Sequence, residues 1–217
     1  MNEKEDTTGR TEHTYDHIAP AYSSRVEELL ADSWIGEHEK GLLDRFLLAV
    51  PRSGAGILDI GCGNGKDTDY FRRKAAFAVG MDVSRGMLAE ARKRVPWGTF
   101  CRMDMRGLGF STGVFDGVWA NGCIYHVPKA DLPAVFREVI RVLRPSGVFS
   151  FNYKAGAGEG LDDEPRSFGG GPRYYAYYRR GEMKTLLRRA GLRALELESY
   201  PGRVFGEEIV QVWAQKP

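Results

Sequence analysis

The sequence predicts an α/β fold, a doubly wound and mostly parallel sheet with helices on both faces. Three observations carry this expectation. Short apolar runs alternate with stretches of helical period from about residue 55 onward. The first apolar run, ILDI at 57–60, opens directly into a glycine turn, GCGNG, and then into a helical stretch. The chain closes on two β-type runs with no helix between them, so the last strand enters antiparallel.

A chain of 217 residues fits a single domain, and an apolar share of 42% suffices for a sizeable core. With 31 basic and 29 acidic residues the net charge is +2, which gives no global pull toward nucleic acid or acidic membranes. The cysteines, Cys62, Cys101 and Cys123, are odd in number and form no C-x-x-C, so they read as reduced thiols. The N-terminus lacks the apolar stretch of a secretory signal, and no run reaches the length of a bilayer span. The expectation is a cytoplasmic protein, monomer or homodimer, with no membrane partner.

Taken in order, residues 1–13 are polar and expected to be flexible. The run TYDHIAPAYSSR from Thr14 reads as a short helix and an extended turn broken at Pro20. Asp32 and Ser33 are good caps for the next helix, whose residues Leu42, Leu43, Phe46 and Val50 share a face and which Pro51 ends. Together, residues 14–50 form an N-terminal helical segment. Strand 57–60 and helix 66–75 follow, then strand 77–82 and a helix capped by Ser84 that runs to residue 95.

A short strand at 99–103 leads to Asp104, and 114–120 is the fourth strand. Pro128 opens a helix in which Leu132, Val135, Phe136, Val139 and Leu143 recur at three- and four-residue steps. Pro145-Ser146-Gly147 turns the chain into strand 148–153. Residues 155–173 read as a long surface loop, and 155–178 as an insertion near a substrate site. A helix through Met183, Leu187 and Ala190 stops at Gly191, and strands 192–199 and 208–214 finish the chain.

The glycine turn organises the rest. Glycines let the backbone turn sharply and let a ligand approach the main chain, and N–H groups at the start of the following helix face the same crevice. A dinucleotide fingerprint would read G-x-G-x-x-G, but Lys66 holds the third position and the pattern is G-x-G-x-G. The run ILDIGCGNGKDTDY resembles the first motif of class I S-adenosylmethionine-dependent methyltransferases, with Asp59 as its acidic residue. The resemblance extends over 14–22 and most of 55–155, including VFDGVWANG with Asp116, IYHV at 124–127 and LRPSG at 143–147. In the last of these Ser146 replaces one glycine, and the final sixty residues match only in layout. The resemblance implies a Rossmann-like seven-stranded sheet of order 3-2-1-4-5-7-6, an antiparallel last strand, and S-adenosyl-L-methionine as cofactor.

Ligands of open α/β sheets sit outside the carboxyl ends of the strands, where the candidate residues fall. The loop contributes Gly61, Cys62, Gly63 and Asn64. Asp82, followed by Val83, lies about twenty residues beyond the loop, where an acid accepts hydrogen bonds from both ribose hydroxyls or else caps a helix. Met87 lies against an adenine face or in the core. The resemblance assigns Asp104 and Met105 to the adenine amino group and ring, and gives Asp116 a structural role. Ala120 and Asn121 stand where main-chain carbonyls receive the methionine ammonium.

His126 is the candidate catalytic base, titrating near 6.5 if unperturbed. Tyr15 and Tyr22 belong to the N-terminal segment that the resemblance makes a lid. The run RYYAYYRR at 173–180 reads as a stacking platform, a pocket wall or a half-buried strand. His13, His17 and His38 show no metal-ligand spacing, so no metal is assigned. The expected function is methyl transfer to oxygen or nitrogen of a small-molecule acceptor. A nucleic-acid (RNA) methyltransferase is the first alternative; Asn121-Gly122-Cys123-Ile124 stands where its amino-methylating members carry Asn/Asp-Pro-Pro-aromatic. A non-catalytic cofactor-binding module is the second.

Overall fold

The computed structural model describes residues 3–51, 54–74, 77–162, 170–202 and 207–217. Five parallel strands form its centre: β1 (Gly56–Ile60), β2 (Phe77–Asp82), β3 (Thr99–Arg102), β4 (Phe115–Ala120) and β5 (Leu143–Ala155), in spatial order β3-β2-β1-β4-β5. Beyond β5, β8 (Arg193–Pro201) and β9 (Glu208–Gln215) complete the sheet. β9 runs antiparallel beside β5, and β8 pairs antiparallel with β9. With β8 and β9 counted as strands six and seven, this is the expected order, antiparallel last strand included.

The alternation of side chains along each strand divides the core in two. On one face Leu58, Val118, Ala120, Phe149 and Phe151 pack with Val135, Phe136 and Val139 of α5 (Leu132–Val142) and Met183 and Leu187 of α6 (Arg180–Ala190). On the other, Ile57, Ala78, Trp119 and Trp213 meet Phe46 of α2 (Ser33–Ala49) and Phe71 of α3 (Lys66–Lys74). Asp32 Oδ1 accepts from Ile35 N at 3.1 Å, as a cap of α2 should, while the side chain of Ser33 lies outside the described residues. Ser84 caps α4 (Arg85–Arg94) by accepting from Met87 N. Asp116, buried at the start of β4, accepts from Gly56 N at 2.9 Å and from Arg144 at 2.6 Å, a structural tie far from the strand's carboxyl end.

Three expectations need correction. Residues 3–31, expected to begin frayed and to break at Pro20, form one helix, α1 (Glu3–Ala31). Pro20 removes the N–H that would bond the Asp16 carbonyl, and that carbonyl lies instead against Gly86, where an added Cβ would come within 2.5 Å. Polar side chains hold the helix: Asp16 Oδ1 accepts from Ser84 Oγ (2.6 Å) and Gly86 N (2.9 Å), and Glu12 pairs with Arg102. Burial pushes the Asp16 carboxyl up, yet the bonds from Gly86 and Ser84 prevail and keep it below its ordinary value.

The second correction concerns 155–173. Glu159–Asp162 is a strand, β6, paired antiparallel with β7 (Arg173–Tyr178), whose end joins β5 through Lys154↔Tyr177 and Ala155↔Tyr178. Residues 163–169 of that stretch lie outside the described residues. Thr14 Oγ1 donates to Pro172 O (2.7 Å) and Tyr174 N to Thr11 Oγ1 (2.9 Å), so α1 is stitched to this hairpin as well as to α4. The third is smaller: α5 starts at Leu132 rather than at Pro128, whose carbonyl receives Leu132 N.

Candidate active site

The carboxyl ends of β1, β2 and β4 converge on the glycine turn. Its three glycines all have positive φ, +66° at Gly61, +53° at Gly63 and +77° at Gly65, a region that side chains disfavour. They lack a side chain for two different reasons. A Cβ at Gly61 would fall 2.4 Å from Cys123 Cβ, and one at Gly65 2.9 Å from the Phe100 ring, so these two admit close packing. A Cβ at Gly63 would meet no atom within 4 Å; it would project into open cleft.

Asp82 Oδ2 accepts from Gly63 N and its Oδ1 from Ser84 N, both at 2.9 Å. Burial raises its pKa against the pull of these bonds. The carboxylate thus fixes the loop and the start of α4 while lining the cleft. Removing it in Asp82→Ala is expected to weaken S-adenosylhomocysteine binding roughly ten- to a hundredfold, the loss of charge-assisted hydrogen bonds. Calorimetry checks this, and parental affinity would reduce Asp82 to a loop tie.

Two chambers meet at the turn. The first is lined by Asp82, Val83, Met87, Asp104 and Met105 and by Cys123 and His126. Met81 and Met103, which sequence reading passed over, add two more polarisable walls. Asp104 is taken up by Arg106, which donates to both of its oxygens at 2.6–3.1 Å. Burial works against that carboxyl's charge, but the Arg106 guanidinium holds its pKa down.

The second chamber takes in Asp59, Cys62 and Asn64. Asp59 accepts from Thr68 Oγ1 at 2.5 Å, tying β1 to α3, and burial with the nearby Asp67 charge pushes its carboxyl well above the usual range. Burial likewise raises the Cys62 and Cys123 thiols, which removes them as nucleophiles. Asn64 is 3% exposed, and its Nδ2 has no hydrogen-bond partner among the described residues.

Tyr15, Tyr22, Gly61, Gly63, Asn121 and Gly122 line both chambers and so mark their junction. Asn121 Oδ1 accepts from Asn152 Nδ2, whose own Oδ1 receives Gly122 N at 2.8 Å. His126 Nδ1 lies 2.7 Å from the Tyr174 carbonyl, which can only accept, so the proton sits on Nδ1. Its Nε2 therefore accepts from the Tyr15 hydroxyl at 2.9 Å. Burial drives the imidazolium down to about 3 although the Tyr174 carbonyl opposes it, and it pushes the Tyr15 phenol up. At neutral pH the pair is Tyr–OH···N, uncharged. Sequence reading found His126 but not its link to Tyr15, because the two lie 111 residues apart.

Residues 57–147 match the family model described as "Methyltransferase domain". An uncharacterised methyltransferase of Synechocystis sp. is 34% identical over 97 residues, 45% of this chain and 46% of that relative. A malonyl-[acyl-carrier protein] O-methyltransferase of Legionella pneumophila is 39% identical over 113 residues, 49% of this chain and 38% of the relative. The chain spans about half the length of the curated relatives it matches, or less. Among solved structures, the 1,6-didemethyltoxoflavin-N1-methyltransferase of Burkholderia thailandensis, with 1,6-didemethyltoxoflavin and S-adenosylhomocysteine bound, shares the fold. Its TM-score is 0.67 at 22% identity, covering 94% of this chain and 89% of that one.

Proposed function

We propose that the chain is a class I S-adenosylmethionine-dependent methyltransferase, with S-adenosyl-L-methionine as its cofactor, that methylates oxygen or nitrogen of a small-molecule acceptor; the match of residues 57–147 to the methyltransferase-domain model supports this reading. The observation that supports this reading is the junction: the two chambers share six lining residues, Gly61 and Gly63 of the glycine turn among them, so a cofactor seated on that turn would present its methyl group to adjoining space for an acceptor.

The residues present suit the cofactor. Gly63 leaves open space where any side chain would project, and the buried Asn64 Nδ2 offers a donor still to be met. Asp82 would hold the ribose, Met87 and Met105 would flank the adenine, and Asn121 with the loop would receive the methionine moiety. When bound, the cofactor supplies a methyl group already made electrophilic by its sulfonium. The protein's part is to align the acceptor and exclude water.

Tyr22 and Tyr15 on α1 roof the junction, which gives residues 14–50 the role of a lid held by Asp16 and Thr14. Tyr15 and His126 take the proton that the acceptor loses: Tyr15 lines both chambers, and its hydroxyl hydrogen is already directed at His126 Nε2.

Incubation with methyl-labelled S-adenosylmethionine and a cell extract separated into nucleic acid, protein and small metabolites tests the reading. Label in the metabolite fraction is expected. Label in RNA or protein would replace the acceptor class, and none in any fraction from a protein that binds the cofactor would favour a non-catalytic role.

A further inference from the structure

Resting on the methyl-transfer reading, we propose that Asn152 is a positioning residue. It sets the polarity of the Asn121 amide, so that Asn121 Nδ2 serves as the donor that selects ligands carrying the α-carboxylate of the cofactor's amino-acid end. The polarity of this network starts at a main-chain group. Gly122 N–H can only donate, and it lies 2.8 Å from Asn152 Oδ1. An amide that accepts at Oδ1 turns its Nδ2 the other way, and there Asn152 Nδ2 donates to Asn121 Oδ1 and to the Tyr200 hydroxyl at 3.3 Å. Both hydrogens of that nitrogen are thereby used. With its Oδ1 accepting from Asn152, Asn121 has only Nδ2 left for a ligand, and none of the described residues takes that donor.

Regular structure holds Asn152 in place. It lies within β5, 7% exposed, opposite Gln211 of β9, while Tyr200 belongs to β8 and Gly122 follows the end of β4. Reversing the Asn152 amide would set its Nδ2 against Gly122 N–H, donor against donor, and leave that N–H unmet. An unsatisfied buried donor is costly, so the observed orientation is the stable one. Every polar atom of Asn152 is engaged, and its influence on a ligand therefore passes through Asn121.

Asn121 lines both chambers together with Gly61, Gly63 and Gly122. The amino-acid end that would lie there carries two groups of opposite hydrogen-bonding character on one carbon. An ammonium only donates and a carboxylate only accepts. A main-chain carbonyl of Asn121 suits the first, whereas Nδ2 suits only the second. Were the Asn121 amide reversed, its Oδ1 would stand against the carboxylate, acceptor against acceptor. Asn152 thus decides which of the two the ligand meets.

Calorimetric titration with S-adenosylhomocysteine and with its decarboxylated analogue, which has hydrogen in place of the carboxylate, tests this. The parent is expected to bind S-adenosylhomocysteine about tenfold or more tighter than the analogue, as a charge-assisted hydrogen bond requires. Asn121→Ala should narrow that preference by weakening S-adenosylhomocysteine alone. Asn152→Asp, titrated at about pH 8 where an aspartate is ionised, still accepts from Gly122 N–H but cannot donate to Asn121, whose amide should then turn. S-adenosylhomocysteine should weaken about tenfold or more while the analogue stays within about twofold. Added to Asn121→Ala, the same Asn152→Asp change should alter S-adenosylhomocysteine affinity by less than about twofold, since the two residues act as one unit. The proposal is overturned if the parent binds the analogue as tightly as S-adenosylhomocysteine or if Asn121→Ala keeps the parental preference. It is equally overturned if Asn152→Asp weakens both ligands alike, or if its effect persists undiminished beside Asn121→Ala, as direct repulsion by the new charge would. Failure of the parent to bind either ligand would instead overturn the methyl-transfer reading, and this proposal with it.

Discussion

Gly63→Val is expected to keep the fold and to lose S-adenosylhomocysteine binding by on the order of a hundredfold or more, about 2.7 kcal/mol. The Cβ would point into open cleft with nothing within 4 Å, so the branched side chain fills ligand space without striking the protein. The backbone at φ +53° adds a strain of roughly 1–2 kcal/mol, which should appear as a modest fall in melting temperature. Gly61→Ala makes the useful contrast. Its methyl would fall 2.4 Å from Cys123 Cβ, so that change should damage folding itself. Thermal unfolding and calorimetry on the two variants separate the effects. A Gly63→Val protein that binds as the parent does would remove the loop from the cofactor site.

The second large effect lies in turnover. His126→Ala is expected to lower it by roughly a hundredfold, the range for a positioned base, with little change in S-adenosylhomocysteine affinity. Tyr15→Phe should act in the same direction, since it cuts the hydrogen bond to His126 Nε2. The pH profile differs from the sequence expectation of a fall near 6.5. Burial holds the His126 imidazolium at about 3, so the rate should stay level from neutral pH to about pH 5. Stability follows the same group. An unfolded chain takes up that proton near pH 6.5, so the stability His126 contributes is complete above about 6.5 and declines as pH falls toward about 3. Parental turnover in His126→Ala would leave rate acceleration to alignment alone.

The sheet was legible because apolar strand and helix periods repeat locally, and the core residues of α5, Val135, Phe136 and Val139, sit where the pattern put them. The glycine loop was legible because turn, acid and strand end share one short stretch. What sequence did not disclose depends on partners distant along the chain. The polar start of α1 resembles a frayed tail until Asp16 is seen to meet Ser84, and Thr11 to meet Tyr174. Asn152 carries no local signal beyond its place in a strand; its meaning comes from Asn121, Gly122 and Tyr200, brought in by the end of β4 and by β8. The histidine's low pKa is likewise a property of the packed site rather than of its neighbours in sequence.

The central claim is that the G-x-G-x-G turn and Asp82 form a site for S-adenosylmethionine rather than for a dinucleotide. Calorimetric titration of the wild-type protein with S-adenosylhomocysteine and, separately, with nicotinamide adenine dinucleotide tests it most directly. Saturable one-to-one binding of S-adenosylhomocysteine with no heat from the dinucleotide is the expected result, and tight binding of the dinucleotide with none of S-adenosylhomocysteine would contradict it.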